Sequence, residues 1–129
     1  MSTIPYLNRA IEDIIKEAYN YFSVISVTGP RQSGKSTLLK HLFPSFPQYS
    51  LKDIHIREFA EKDPISFLNQ HPAGMFIDEV QKVPQLLDYI QGIVDENPSK
   101  RFLLSGSSNL ELLHGLCESL PGRAGVFEL

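Results

Sequence analysis

The sequence predicts an α/β fold, a three-layer α/β/α sandwich built on a mostly parallel five-stranded sheet. Short apolar, β-branched runs alternate with stretches whose apolar residues recur every three or four positions, the pattern of strands joined by helical crossovers. Proline, glycine and Asx residues punctuate the chain between those runs. The polar residues of Gly29, Asp78 and Ser105-Gly106-Ser107 fall at or just past the carboxyl ends of predicted strands, where open α/β sheets bind ligands.

The elements follow in order. Ile4, Leu7, Ile11, Ile14, Ile15, Ala18 and Phe22 form the apolar face of a helix that precedes the first strand, residues 23–28. Residues 36–42 read as a helix closed by Pro44 and Pro47, and residues 48–51 as a short second strand. Asp63-Pro64 is a cap followed by proline at the first helical position, opening a helix over 65–70. His71-Pro72-Ala73-Gly74 breaks it ahead of a strand that ends at Asp78. Pro84 opens a helix with Val83, Leu86, Leu87, Ile90, Ile93 and Val94 on one face and Asn97-Pro98 as its stop. Residues 101–105 are a fourth strand, Ser108-Asn109-Leu110-Glu111 is a capping box for the last helix, and residues 124–129 are a fifth strand.

Composition bounds the function classes. A chain of 129 residues with 42% hydrophobic and 21% charged residues is one domain with room for a sizeable core. A net charge of −3 supplies no global field for nucleic acid. One cysteine, Cys117, excludes an internal disulfide framework and fits a reducing cytoplasm. His114 and Cys117 are three apart but lack two further metal ligands. Arg9, Glu12, Asp13, Lys16 and Glu17 interrupt the N-terminal apolar residues, so that segment is no signal peptide, and no apolar run is long enough to span a bilayer.

The most specific signal is Gly29-Pro30-Arg31-Gln32-Ser33-Gly34-Lys35-Ser36, which matches the phosphate-binding pattern GxxxxGK[ST] between a strand and a helix. Its glycines allow a tight turn that aims backbone N–H groups at an anion, and the helix N-terminus adds a partial positive charge. Lys35 brings a mobile charge to the β- and γ-phosphates, and the Ser36 hydroxyl is an oxygen ligand suited to Mg²⁺. Thr37 completes the candidate nucleotide-binding set, while Arg31 and Gln32 read as solvated loop side chains. A glycine-rich turn capping an ordinary helix is the plain alternative. A second element, residues 74–79, is an apolar run ending in Asp78-Glu79. The strand-end Asp78 suits Mg²⁺, and Glu79, beyond the strand tip, is placed to polarise an attacking water. The paired carboxylates point to hydrolysis rather than storage of the nucleotide.

Four segments together carry a resemblance: GPRQSGKSTLLK at 29–40, FIDEVQKVP at 76–84, FLLSGSS at 102–108 and GRAGVFEL at 122–129. They resemble prokaryotic AAA-superfamily P-loop ATPases of the kind that carries a C-terminal domain of unknown function. The resemblance covers nearly the whole chain and implies an ATPase core with strand order 5-1-4-3-2, ATP and Mg²⁺ as ligands, and a γ-phosphate sensor after the fourth strand. Ser105 and Ser107 both suit that role, with Ser107 favoured. The resemblance also implies that Arg123 reaches the nucleotide of a neighbouring subunit, making a homo-oligomer; a surface arginine in a Pro-Gly turn is the even alternative. Family members continue past the fifth strand into a lid and a further domain, so a chain ending at Leu129 is expected to be the core alone.

Three functions compete at this level. An ATPase would bind Mg-ATP through Lys35, Ser36 and Asp78 and activate water with Glu79. A nucleotide-binding switch or scaffold would hydrolyse slowly or not at all. A small-molecule kinase shares the loop, but no Arg-rich lid segment follows, and a GTPase lacks its Asn-Lys-x-Asp segment. The client, whether protein or nucleic acid, is not written in the sequence.

Overall fold

The computed structural model describes residues 6–30, 34–107, 114–116, 118, 120 and 122–129, with side chains from residue 10 onward. Five strands, β1 (Val24–Thr28), β2 (Gln48–Ser50), β3 (Gly74–Asp78), β4 (Arg101–Gly106) and β5 (Ala124–Glu128), form one sheet in the order β2-β3-β4-β1-β5. Every neighbouring pair is parallel, so the sheet is wholly rather than mostly parallel, and its order is the expected 5-1-4-3-2 met from the other edge. All five residues of β1 are buried, as are five of the six in β4. Such continuous burial is what helices on both faces of a parallel sheet require.

Strand period two sorts these residues onto two faces. Ile25 and Val27 of β1, Phe76 of β3 and Leu103 of β4 face α1 (Tyr6–Tyr19) and α2 (Lys35–Leu42), where Ile15 and Leu39 meet them. Val24, Met75, Ile77, Phe102 and Leu104 face the other way, against Phe67 and Leu68 of α4 (Pro64–Leu68) and Leu86, Leu87, Ile90 and Val94 of α5 (Leu86–Glu96). Leu116, in the helical residues 114–116, joins that second cluster. Each fully buried leucine or phenylalanine contributes about 1.5–3 kcal/mol, so these two clusters dominate the stability of the fold.

The helices hold three corrections. A helix absent from the sequence reading, α3 (Ile54–Lys62), lies beside α4 at the β2 edge of the sheet. Asp53 caps it, its carboxylate accepting from the backbone N–H groups of His55 (2.9 Å) and Ile56 (3.2 Å). Ile14, assigned to the apolar face of the first helix, is 54% exposed. Position 15 takes the inward direction, and the adjacent residue is turned by about 100° along the helix. Pro64 does open α4 behind an Asp63 cap, whereas the helix after Pro84 starts at Leu86. The Ser108–Glu111 capping box lies outside the described residues, as do Arg31, Gln32 and Ser33.

Candidate functional site

After Thr28 the chain leaves β1 through the buried Gly29, and Gly34 stands as the N-cap of α2. Gly34 has φ +87°, a left-handed conformation that side chains disfavour, and an added Cβ would meet nothing within 4 Å. Backbone conformation, not space, therefore demands glycine at this position. The first helical bond runs from the Leu38 N–H to the Gly34 carbonyl (2.8 Å), so the N–H groups of residues 35–37 have no acceptor within the helix. Lys35 is 6% exposed, and its Nζ donates to the Pro30 carbonyl at 3.3 Å. An ammonium carries three donors, so this bond, the one it makes among the described residues, leaves capacity for an anion.

The strand pattern brings the other oxygens to the same place. Phe76 faces α2, so Asp78, two residues on, faces it as well; Leu103 and Ser105 of β4 do the same. As a result, Ser36 Oγ donates to Asp78 Oδ1 at 2.6 Å, and Ser105 Oγ donates to the same oxygen at 2.5 Å. A carboxylate and two hydroxyls form an all-oxygen donor set, which suits a hard cation such as Mg²⁺. These residues fit the metal on their chemistry alone. Of the two candidate sensors, Ser105 is buried against Asp78 and Ser107 lines the cleft.

Glu79 is the first residue past β3 and has φ +59°. It caps a short 3₁₀ turn, Val80–Lys82, whose Val80 is fully buried, as is Val83 directly after it. Glu79 Oε1 accepts from Gln81 Nε2 at 2.8 Å, and Gln81 Oε1 accepts from the Ser107 N–H at 3.2 Å. A cleft of about 810 Å³ opens at this edge, lined by Gly34, Lys35, Ser36, Thr37, Glu79 and Ser107. That is the size of a nucleotide-scale ligand pocket. Lys52, Gln81 and Lys82 also line it, and sequence reasoning missed all three. Only Gln81 and Lys82 carried any signal, as part of the FIDEVQKVP segment.

Arg123 stands apart. It precedes β5, and its carbonyl accepts from the N–H of Val24, the first residue of β1, at 3.1 Å. The five residues of β5 therefore separate it from the carboxyl edge, about 16 Å along the strand. Its Nε pairs with Asp95 of α5. Of the described candidates, Gly34, Lys35, Ser36, Thr37, Glu79 and Ser107 line the cleft, Asp78 and Ser105 are bonded together beside Ser36, and Arg123 lies at the other end of the sheet.

A family model described as an AAA domain matches residues 21–129. Uncharacterised proteins of Mycobacterium bovis and Mycobacterium tuberculosis are each 32% identical over 117 residues, which cover 89% of this chain. The chain spans about a quarter (26%) of the length of those relatives. Among solved structures, a Signal Transduction ATPase with Numerous Domains protein with a tetratricopeptide repeat sensor, from Pyrococcus horikoshii, covers all of this chain at a TM-score of 0.57 and 12% identity. This chain covers 23% of that protein, and the likeness is one of fold. Among the described residues no helix is long and apolar enough to cross a membrane. With the wholly parallel sheet, its strand order and the loop between β1 and α2, these matches make the chain a member of the AAA-domain family, with the fold of a P-loop ATPase core.

Proposed function

We propose that the chain binds Mg-ATP in the cleft at the carboxyl edge of the sheet and hydrolyses it to ADP and phosphate. The observation that carries this is the convergence of the Ser36 and Ser105 hydroxyls on Asp78, at the start of the helix that Lys35 opens. The loop 29–34 and the N-terminus of α2 would receive the β- and γ-phosphates on backbone N–H groups. Lys35 would exchange its bond to Pro30 for the phosphate oxygens. Ser36 and Asp78 would hold Mg²⁺, which when bound neutralises charge on the phosphates. Glu79, at the wall of the same cleft, would take a proton from the attacking water, and Ser107 would contact the γ-phosphate. Arg31, Gln32, Ser33 and Thr37 complete the binding set proposed from sequence.

The test is Glu79→Gln. A general base contributes about 10²–10⁴-fold in rate, so the variant is expected to bind Mg-ATP like the parent and lose turnover by that order. Parental turnover in the variant would falsify the assignment of the base. Phosphate appearing on an added metabolite instead of in solution would make the protein a kinase.

Because Arg123 lies at the opposite end of the sheet from its own cleft, any part it plays in turnover requires a second copy of the chain. Turnover per chain that rises with protein concentration in the parent, and stays flat in Arg123→Ala, is the expected result. A flat dependence in both removes the homo-oligomer from the mechanism. The lone Cys117 suits a reducing compartment, and the cytoplasm is the proposed location.

A further inference from the structure

Gln81 has no place in the phosphate or metal chemistry, yet it is bonded at both ends of its amide. Nε2 donates to Glu79 Oε1 at 2.8 Å, and Oε1 accepts from the backbone N–H of Ser107 at 3.2 Å. The amide orientation is settled by its partners, since a carboxylate only accepts and a backbone N–H only donates. One planar group therefore joins the acidic tip of β3 to the loop that leaves β4. Its own backbone is anchored on both sides. Val80 and Val83 are fully buried in the core cluster, and the turn is closed by Lys82 N–H to the Glu79 carbonyl (3.1 Å) and Val83 N–H to the Val80 carbonyl (3.1 Å). The Glu79 side chain, on a left-handed backbone at φ +59°, thus meets a donor whose backbone is held by the buried Val80 and Val83.

We propose that Gln81 is a positioning residue: it fixes the Glu79 carboxylate against the cleft wall and ties its placement to the loop at Ser107. The inference deepens the ATPase reading and rests on it for its kinetic part. Any ligand that shifts the Ser107 backbone moves the Gln81 oxygen, and the rigid amide carries that shift to Glu79. A leucine at position 81 keeps the volume and loses both bonds. A glutamate keeps an acceptor for the Ser107 N–H but sets a second carboxylate against Glu79.

The experiment compares Gln81→Leu and Gln81→Glu with the parent in steady-state ATP hydrolysis. Small displacements of catalytic groups have large rate effects, so kcat is expected to fall about tenfold in Gln81→Leu, with KM for ATP changed less than twofold. Gln81→Glu is expected to fall at least as far. A parental kcat in either variant overturns the inference, and so does a raised KM at unchanged kcat, which would make Gln81 an ordinary nucleotide contact. A second readout does not depend on turnover: the side-chain amide resonance of Gln81, followed by ¹⁵N NMR. It is expected to move in Glu79→Ala, and to differ between Mg-ADP and a slowly hydrolysed Mg-ATP analogue. If the parent proves unable to hydrolyse ATP, the ATPase reading falls while the link is still judged by this resonance. A signal unmoved by Glu79→Ala and by both nucleotides overturns the link itself.

Discussion

At the amino end of the sheet, Arg101 and Ser23 tie chain segments together through backbone carbonyls; at the carboxyl end, two hydroxyls and an amide converge on two adjacent carboxylates. Arg101, which starts β4, donates from Nε to the Tyr19 carbonyl at 3.1 Å and from Nη1 to the Pro98 carbonyl at 2.5 Å. Ser23 Oγ donates to the same Pro98 carbonyl at 2.9 Å. The Arg101 guanidinium also lies 5.5 Å from the centre of the Tyr19 ring. At the other end, Ser36 and Ser105 share Asp78, and Gln81 reaches Glu79. The amino end has side chain–side chain bonds of its own, Arg123 to Asp95 and Lys100 to Asn69, but at the carboxyl end three of them meet on the adjacent carboxylates Asp78 and Glu79. The physical difference is what each partner can do next. A carbonyl tied to an arginine pins one chain segment to another, whereas hydroxyls resting on a carboxylate can turn to a cation or a phosphate without unfolding anything.

The comparison predicts that substitutions at the amino end act on stability and those at the carboxyl end on ligand and rate. Gly74 offers the largest effect. It opens β3 at φ +115°, and an added Cβ would lie 1.6 Å from the Arg101 carbonyl oxygen. Gly74→Ala is expected to cost about 4 kcal/mol or more in chemical denaturation, because strain and a backbone clash add at one residue. Gly92, within α5, is the control: an added Cβ meets nothing within 4 Å, and Gly92→Ala should stabilise by about 0.5–1 kcal/mol. A Gly74→Ala protein as stable as the parent would break the contrast at its strongest point.

At the carboxyl end, Lys35→Ala removes a charge whose one bond among the described residues is to the Pro30 carbonyl. Charge-assisted bonds contribute about 1.5–3 kcal/mol each, so affinity for Mg-ATP is expected to fall about a hundredfold while the denaturation midpoint barely moves. Titration calorimetry beside a denaturant melt separates the two. A large loss of stability with modest loss of affinity would make Lys35 a fold-holding residue like Arg101.

The carboxyl end was also the more legible in sequence. Gly29, Gly34, Lys35, Ser36 and Asp78 are read from residue type and spacing, because the phosphate and cation chemistry proposed for them would restrict what stands there. The sheet order came from the resemblance; alternation of strands and helices predicts a parallel sheet but leaves the order of its strands open. Helix α3 was missed because Ala60 is its one buried residue, while Ile54 and Phe59 are exposed at 63% and 39%. A helix that covers an edge instead of a face leaves little periodicity to read. Gln81 was missed for another reason. Its role depends on the left-handed turn at Glu79 and on the loop after β4 arriving opposite it, and neither is a local property of the sequence.

Lys100 sharpens the comparison most finely, since it is a buried amino-end residue whose bond goes to a side chain. Its Nζ donates to Asn69 Oδ1 at 3.0 Å and stands 5.6 Å from the centre of the Phe102 ring. The residue is 5% exposed, and burial lowers its pKa from the usual 10.5. The sign of the linkage follows. Between the depressed folded value and 10.5 the unfolded chain holds a proton that the folded chain has released, so this residue's contribution to stability rises with pH across that window. Below the window folding bears the whole cost of burying the charge. Lys100→Met keeps most of the volume and removes that cost along with the bond to Asn69, and the two losses are expected to cancel to within about 1 kcal/mol near neutral pH. Denaturation of parent and variant at pH 7 and again near pH 10 should show the parent gaining on the variant as pH rises. An identical pH dependence would mean that the Lys100 ammonium is solvated in the folded state, and that it bonds Asn69 without strain from burial.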